Sequence, residues 1–170
     1  MNIETNRLII KKLCLNMAKD IHLNSLDEDT GKFLPDEVFE TVSKAKEVIK
    51  FLIKQYDNNN GPFVYAITLK NNVNIGYVQL VKVEDYWEIG YHVAKPYVNN
   101  GYASEAVNAF LPFIMNKLNV NTVYGITLKE NVASVKVLQK CGFVKIFDGF
   151  GIYLGRKQEI LKFVFTLNNK

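Results

Sequence analysis

One stretch constrains this chain more than any other: Glu88 to Glu105, EIGYHVAKPYVNNGYASE. A β-rich run ends at Lys95-Pro96, where the residue before proline is driven into extended backbone. The turn Val98-Asn99-Asn100-Gly101-Tyr102-Ala103 then opens directly into a helix. There Ala103, Val107, Phe110, Leu111, Ile114 and Leu118 recur at helical spacing. Pro112 removes one backbone donor from that helix, and a kink is expected. A small-residue turn at a helix head presents free N–H groups and the positive dipole end, which suits a phosphate or pyrophosphate. A plain strand-to-helix turn using Asn-Gly for its backbone geometry has the same pattern, and spacing alone leaves both open.

The hydrophobic period sets the architecture around this stretch. Val42, Ala45, Val48, Ile49, Leu52, Ile53 and Tyr56 predict an amphipathic helix, and a shorter one is expected around Asn16 to Leu26. From Phe63 the period changes. FVYAITL, NIGYVQLVKV and WEIGYHV are three β-rich runs joined by hairpin-length turns, and TVYGITL is a fourth. Asn131 can cap a helix through Val135, Leu138 and Cys141, with Gly142 as its left-handed stop. In the last run Leu161, Phe163, Phe165 and Leu167 alternate onto one face. The order β-α-α-βββ-α-β-α-ββ predicts a mixed α/β (α+β) fold: one largely antiparallel sheet flanked by helices, not a doubly wound one. With 170 residues and no linker, a single domain over residues 1–170 is expected.

Composition narrows the function classes. The net charge is +4, and only Arg7 and Arg156 among the 21 basic residues are Arg. Dispersed lysines without Arg clusters argue against a nucleic-acid reader. No apolar run approaches the ~18 residues of a membrane span, and the N-terminus lacks a secretory pattern. Cys14 and Cys141 form neither a disulfide framework nor a metal site. A reduced, cytoplasmic protein without a metal is expected.

A second stretch, NVASVKVLQKCGF from Asn131 to Phe143, follows about thirty residues after the first. Taken alone it reads as a capped surface helix leading into a strand. Together, YVNNGYASEAV and NVASVKVLQKCGF resemble the pyrophosphate loop and the pantetheine-side helix of the GNAT superfamily of acetyl-CoA-dependent N-acetyltransferases. The opening TNRLIIKKL is similar to the first strand of its branch that acetylates ribosomal-protein N-termini. The resemblance covers nearly the whole chain and implies a GNAT-like fold. It also implies acetyl-CoA as donor, held by Val98, Asn99, Asn100, Gly101, Tyr102, Ala103 and Ser104, with His92, Val93, Asn131 and Ser134 along the coenzyme arm. Val98 and Asn100 stand where the superfamily often has Gln or Arg and a basic residue. Phosphate binding would thus rest on backbone N–H groups, with Lys95 or Lys136 as charge partners. Leu138 stands where many members have a Tyr, so the resemblance leaves Ser134 as donor to the departing sulfur. An Arg that often follows an acidic-Gly pair like Asp148-Gly149 is missing.

Acetyl transfer to an amine needs a neutral amine, and an alkylammonium titrates near ~10.4. On WEIGYHV, alternation puts Trp87, Ile89, Tyr91 and Val93 on one face and Glu88, Gly90 and His92 on the other. Gly90 leaves a gap where ligand or water can approach. Glu88 and His92 lie about 13 Å apart along the strand, too far for one acid–base pair. Glu88 matches a position where the superfamily often carries its base, and it can equally be a polar, solvent-facing residue. His92 reads as a ligand-lining or internally satisfied histidine. The resemblance implies the backbone amide near Val93 as oxyanion donor, and no acyl-enzyme is required. Cys141 reads as core. Phe33, Phe39, Tyr86 and Trp87 can line an acceptor pocket or feed the core. The expected activity is N-acetyl transfer to a primary amine, a peptide N-terminus or a small molecule. The alternative is a coenzyme A-binding module without turnover. A homodimer would suit the branch.

Overall fold

In the computed structural model, which describes residues 2–167, eight strands form one sheet in the order β1-β2-β3-β4-β5-β6-β8-β7. The strands are β1 (Ile3–Glu4), β2 (Leu8–Lys12), β3 (Phe63–Leu69), β4 (Asn74–Val83), β5 (Tyr86–Val93), β6 (Thr122–Leu128), β7 (Val144–Tyr153) and β8 (Arg156–Thr166). Every neighbouring pair is antiparallel except β5 and β6. The helices are α1 (Ala18–Asn24), α2 (Glu28–Phe33), α3 (Val42–Gln55), α4 (Tyr102–Leu118) and α5 (Val132–Lys140).

Helices cover both faces, and β3 shows why. Its side chains alternate between two separate cores. Phe63, Tyr65 and Ile67 join the larger one with Phe110, Leu111 and Ile114 of α4. Val64 and Ala66 join Ala18 of α1 and Ala45 and Ile49 of α3 in the smaller. A strand buried on both faces reads as a continuous apolar run, as FVYAITL does. β5 alternates as expected: Trp87, Ile89, Tyr91 and Val93 pack on the larger core. Glu88, Gly90 and His92 are left to the face that α2 covers.

The element order matches expectation, with two additions, the two-residue β1 and the single-turn α2. The helix around Pro112 continues through it, since α4 runs unbroken from Tyr102 to Leu118. α5 ends as its sequence demands. Gly142 adopts φ +81, its N–H donates to the Gln139 carbonyl, and the Phe143 N–H donates to that of Leu138. Among the described residues, no helix is long and apolar enough to cross a membrane.

Candidate active site

β5 and β6 pair only where Glu88 lies opposite Tyr124. Beyond that point, towards their carboxyl ends, a cleft of about 820 Å³ opens. A crevice beyond the carboxyl ends of parallel strands is where open α/β sheets bind ligands, and this volume suits a cofactor-sized one. Leu138, buried in α5, closes its floor. A Cβ on Gly125 of β6 would stand 2.6 Å from Leu138 Cδ2 and 3.4 Å from Ile89 Cγ2. Glycine at this position leaves room for the Leu138 side chain between α5 and β6.

Both helices that follow the parallel strands start at the cleft. At α4, Asn99 (φ +64) and Gly101 (φ +79) are left-handed, and the first backbone bond of the helix runs from the Glu105 N–H to the Gly101 carbonyl, 3.0 Å. The N–H groups of Tyr102, Ala103 and Ser104 therefore lack intrahelical acceptors and, with Val98, these residues line the cleft. The Asn100 side chain turns back on the loop, donating to the carbonyls of Tyr97 (3.2 Å) and Val98 (2.9 Å). At α5, Asn131 Oδ1 accepts the Ser134 N–H at 3.1 Å, the cap expected from the sequence.

Arg7, which sequence reasoning passed over, anchors the first of these loops. Its Nη1 donates to the Asn100 carbonyl at 2.9 Å and its Nε to Glu105 Oε2 at 2.7 Å. Its guanidinium lies 4.5 Å from the Tyr102 ring centre. Both lysines expected as charge partners line the cleft, Lys95 ion-paired there with Asp29. The Arg7 guanidinium is the cation nearest the position a Cβ on Gly101 would take, with Nη2 3.6 Å away.

The opposite wall carries the titratable groups. Burial lifts the Glu88 carboxyl to about 7, against a smaller pull downward from Lys162. Burial also lifts Glu37 to about 7, with a weak hydrogen bond from Gln79 Nε2 (3.4 Å) opposing it. Glu37 sits in a short turn after α2, where no periodicity marks it. The gap expected over Gly90 opens on the cleft but is narrowed by Gln79, its cross-strand partner on the same face: a Cβ on Gly90 would meet Gln79 Nε2 at 2.7 Å. That face therefore offers amide and carboxyl groups and not an empty slot.

His92 is satisfied internally. Its Nε2 lies 2.8 Å from Thr30 Oγ1, which itself donates to Asp27 Oδ2 at 2.7 Å. With the Thr30 hydrogen committed to Asp27, the Nε2–H tautomer fits best. Burial lowers the His92 pKa, with Asp27 opposing, so the ring is neutral near pH 7. Of the aromatics weighed for an acceptor pocket, Phe33 lines the cleft, Phe39 lines a separate small cavity, Trp87 stacks on Phe63, and Tyr86 packs edge-on to Tyr124. Cys141 is buried and its thiol pushed up to about 11, which makes it core and not nucleophile.

Ser134, in the first turn of α5, lines the cleft, and its Oγ lies 2.9 Å from the Tyr91 hydroxyl. The arrangement offers unpaired helix N–H groups for an anion on one side and a protonatable carboxylate on the other. Such an arrangement can hold an anionic group and an amine side by side.

Comparison with known proteins agrees. Residues 7–144 match the acetyltransferase (GNAT) domain family. YnaD of Bacillus subtilis (strain 168), named an uncharacterized N-acetyltransferase, is 27% identical over 152 residues, 88% of this chain and 85% of YnaD. The GNAT-family acetyltransferase from Bacillus anthracis superposes with a TM-score of 0.79 over 98% of both chains at 23% identity. RimL, described as a ribosomal L7/L12 alpha-N-protein acetyltransferase in complex with coenzyme A, does so at 0.84 over 98% of both, at 15% identity. These structural likenesses establish a shared fold. The chain belongs to the GNAT family of acetyltransferases, enzymes that use acetyl-CoA as donor.

Proposed function

We propose that residues 1–170 act as one N-acetyltransferase domain that moves acetyl from acetyl-CoA directly to a primary amine. The carrying observation is Glu88, a carboxyl raised to about 7 at the point where β5 and β6 part. In this reading the coenzyme pyrophosphate lies on the N–H groups of Val98 to Ser104, with Arg7 fixing the loop. The arm passes Val93, His92 and Asn131 towards Ser134. Glu88, directly or through one water, takes a proton from the acceptor ammonium, since a base works best with a pKa near the working pH. The neutral amine attacks the thioester carbonyl, and the second proton on its nitrogen passes to water as the amide forms. The backbone N–H near Val93 steadies the oxyanion, Ser134 Oγ donates to the sulfur, and coenzyme A leaves as the thiolate.

Glu37, Phe33, Leu34 and Tyr153 border the acceptor side. Its carboxyl groups favour a cationic amine, and both a peptide N-terminus and a small molecule satisfy that chemistry. RimL, named for acting on a ribosomal protein N-terminus, makes the peptide the first candidate to assay. The reading places the enzyme in the cytoplasm, consistent with an exposed free thiol at Cys14. It requires neither nucleic acid, membrane nor metal. A homodimer remains part of the proposal, checked by sedimentation. The decisive experiment is thiol release from acetyl-CoA across a panel of amines and N-terminal peptides, with mass detection of product. Tight coenzyme binding without release from any of them would make the chain a coenzyme A-binding module instead.

A further inference from the structure

The hydroxyl of Tyr91 has no part in the scheme above, yet its position is specific. Tyr91 lies on β5 three residues past Glu88, the last residue of that strand paired with β6. Its ring faces the larger core, and its hydroxyl reaches across the cleft to the first turn of α5. There it lies 2.9 Å from Ser134 Oγ and 3.0 Å from the Ser134 carbonyl oxygen. Burial raises the phenol well above its ordinary value, so it stays protonated wherever the protein is folded.

The hydrogens can be counted. The phenol carries one and the serine hydroxyl one. In the first arrangement Tyr91 donates to the Ser134 carbonyl and Ser134 Oγ donates back to the phenol oxygen. The serine hydrogen is then spent and unavailable to a ligand. In the second, Tyr91 donates to Ser134 Oγ, and the serine hydrogen is free to point into the cleft. Switching between them needs only two hydroxyl rotations and no movement of heavy atoms. Negative charge appearing in the cleft favours the second, and a hydroxyl that accepts one hydrogen bond becomes a stronger donor of the next.

We propose that Tyr91 is a positioning residue for acetyl transfer, its hydroxyl driving the Ser134 hydrogen onto the coenzyme sulfur as the thioester breaks. This rests on the reading of Ser134 as sulfur donor. The amine nitrogen bonds to the carbonyl carbon, and the carbon–sulfur bond breaks with its electron pair going to sulfur. The ammonium loses one proton to Glu88 or to water before it attacks, and the second, carried on nitrogen in the tetrahedral adduct, passes to water as the carbon–sulfur bond breaks. No proton leaves Tyr91, because a coenzyme thiol near ~8.5 is a stronger acid than a phenol near ~10. The two hydroxyls stabilise the thiolate in place, and solvent protonates it later. In either arrangement at least one hydrogen bond of the phenol ties the α5 end of the cleft to β5, so serine orientation and cleft width are set together.

The test needs no knowledge of the acceptor. Coenzyme A is bound to wild type, Tyr91→Phe, Ser134→Ala and the double variant, and the bound thiol is titrated by the ultraviolet absorbance of its thiolate. Phenylalanine keeps the ring packing and removes only the oxygen; Tyr91→Leu is made alongside in case the first is unstable. In wild type the bound thiol should titrate below its free value. Tyr91→Phe should bring it back up by about half to one pH unit, a three- to tenfold loss in the ratio of thiolate to thiol. Ser134→Ala should do the same, and the double variant should go no further than Ser134→Ala. Weaker coenzyme binding in Tyr91→Phe with an unchanged thiol titration would make Tyr91 a structural strut and overturn the proposal. Additive shifts in the double variant would also overturn it, because Tyr91 would then act without Ser134. If Ser134→Ala leaves the titration at the wild-type value, the reading of Ser134 fails, and the proposal with it. A shift in Ser134→Ala alone leaves that reading standing and removes Tyr91.

Discussion

Replacing Glu88 by Gln keeps the outline of the side chain, removes its ionisation, and should move stability and activity in opposite directions. Burial lifts the carboxyl from 4.5 to about 7, with Lys162 opposing. A folded-state value above the unfolded one means the native state binds the extra proton between those limits. The contribution of Glu88 to stability is then highest below pH 4.5, declines as pH rises to about 7, and is level above that. At about 1.4 kcal/mol per pH unit the whole difference is on the order of 3 kcal/mol, and residual solvent contact reduces it. Above neutrality the wild type therefore carries a carboxylate that its surroundings disfavour. Glu88→Gln should be the more stable protein at about pH 8, by about 1–2 kcal/mol, with the gap closing near pH 4. Glu37 sits in both proteins and cancels. Turnover should do the reverse. Losing a general base costs about 10²–10⁴-fold. The wild-type rate should climb through about pH 7 and flatten, whereas the variant should follow the free neutral amine upward, towards ~10.4 for an alkylamine. Denaturant midpoints at the two pH values, with thiol release at saturating acetyl-CoA across the range, test both halves. A wild-type rate and pH profile in the variant would refute the base, and equal stability at pH 8 would refute the burial argument.

Two further substitutions probe the coenzyme side. Gly101 stands at φ +79, so Gly101→Val should weaken acetyl-CoA binding about tenfold and also cost about 1–2 kcal/mol of stability, while Gly101→Asn, which tolerates the left-handed region, should do far less. Calorimetry showing equal affinity for the Val variant and wild type would remove this loop from the coenzyme site. Ser134→Ala leaves the backbone N–H capped by Asn131 and should lower kcat about tenfold with acetyl-CoA affinity nearly unchanged. Parallel losses in rate and affinity would mean that Ser134 only holds the coenzyme.

Features governed by near neighbours were legible before the fold was known. The facing of β5, the Asn131 cap, the Gly142 stop and the strand-to-helix turn at Gly101 each depend on residues within a few positions, where period and backbone preference act. What escaped were contacts between distant parts of the chain. Arg7 meets Glu105 across 98 residues, and Thr30 meets His92 across 62. A residue's propensity carries no signal of such a partner. Gln79 over Gly90 escaped for a related reason: their opposition depends on the β4–β5 register, which the hairpin turn sets and which the alternation of one strand does not carry. Glu37 lies in a short turn whose position is decided by what packs around it. Alternation put Tyr91 on the face opposite Glu88, and its ring packs there on the larger core; what alternation does not show is that the hydroxyl at its tip reaches Ser134.

The single bridge between β5 and β6 divides the sheet mechanically. On one side β1 to β5 each lie beside the next strand in the chain; on the other, β6, β8 and β7 form a second block. Within each block the backbone ladder is nearly continuous, whereas across the boundary cohesion comes mainly from side chains such as Ile89, Leu138 and Phe163. Sub-global opening should therefore run along this boundary before either block melts, and a ligand spanning it adds its binding free energy to the weakest joint. Amide exchange in β6 should slow on coenzyme A addition far more than exchange in β3; equal slowing would show that the sheet opens as one piece. The acetyl donor would then be a clasp as well as a reactant, and a cell short of it would hold this enzyme in its loosest state.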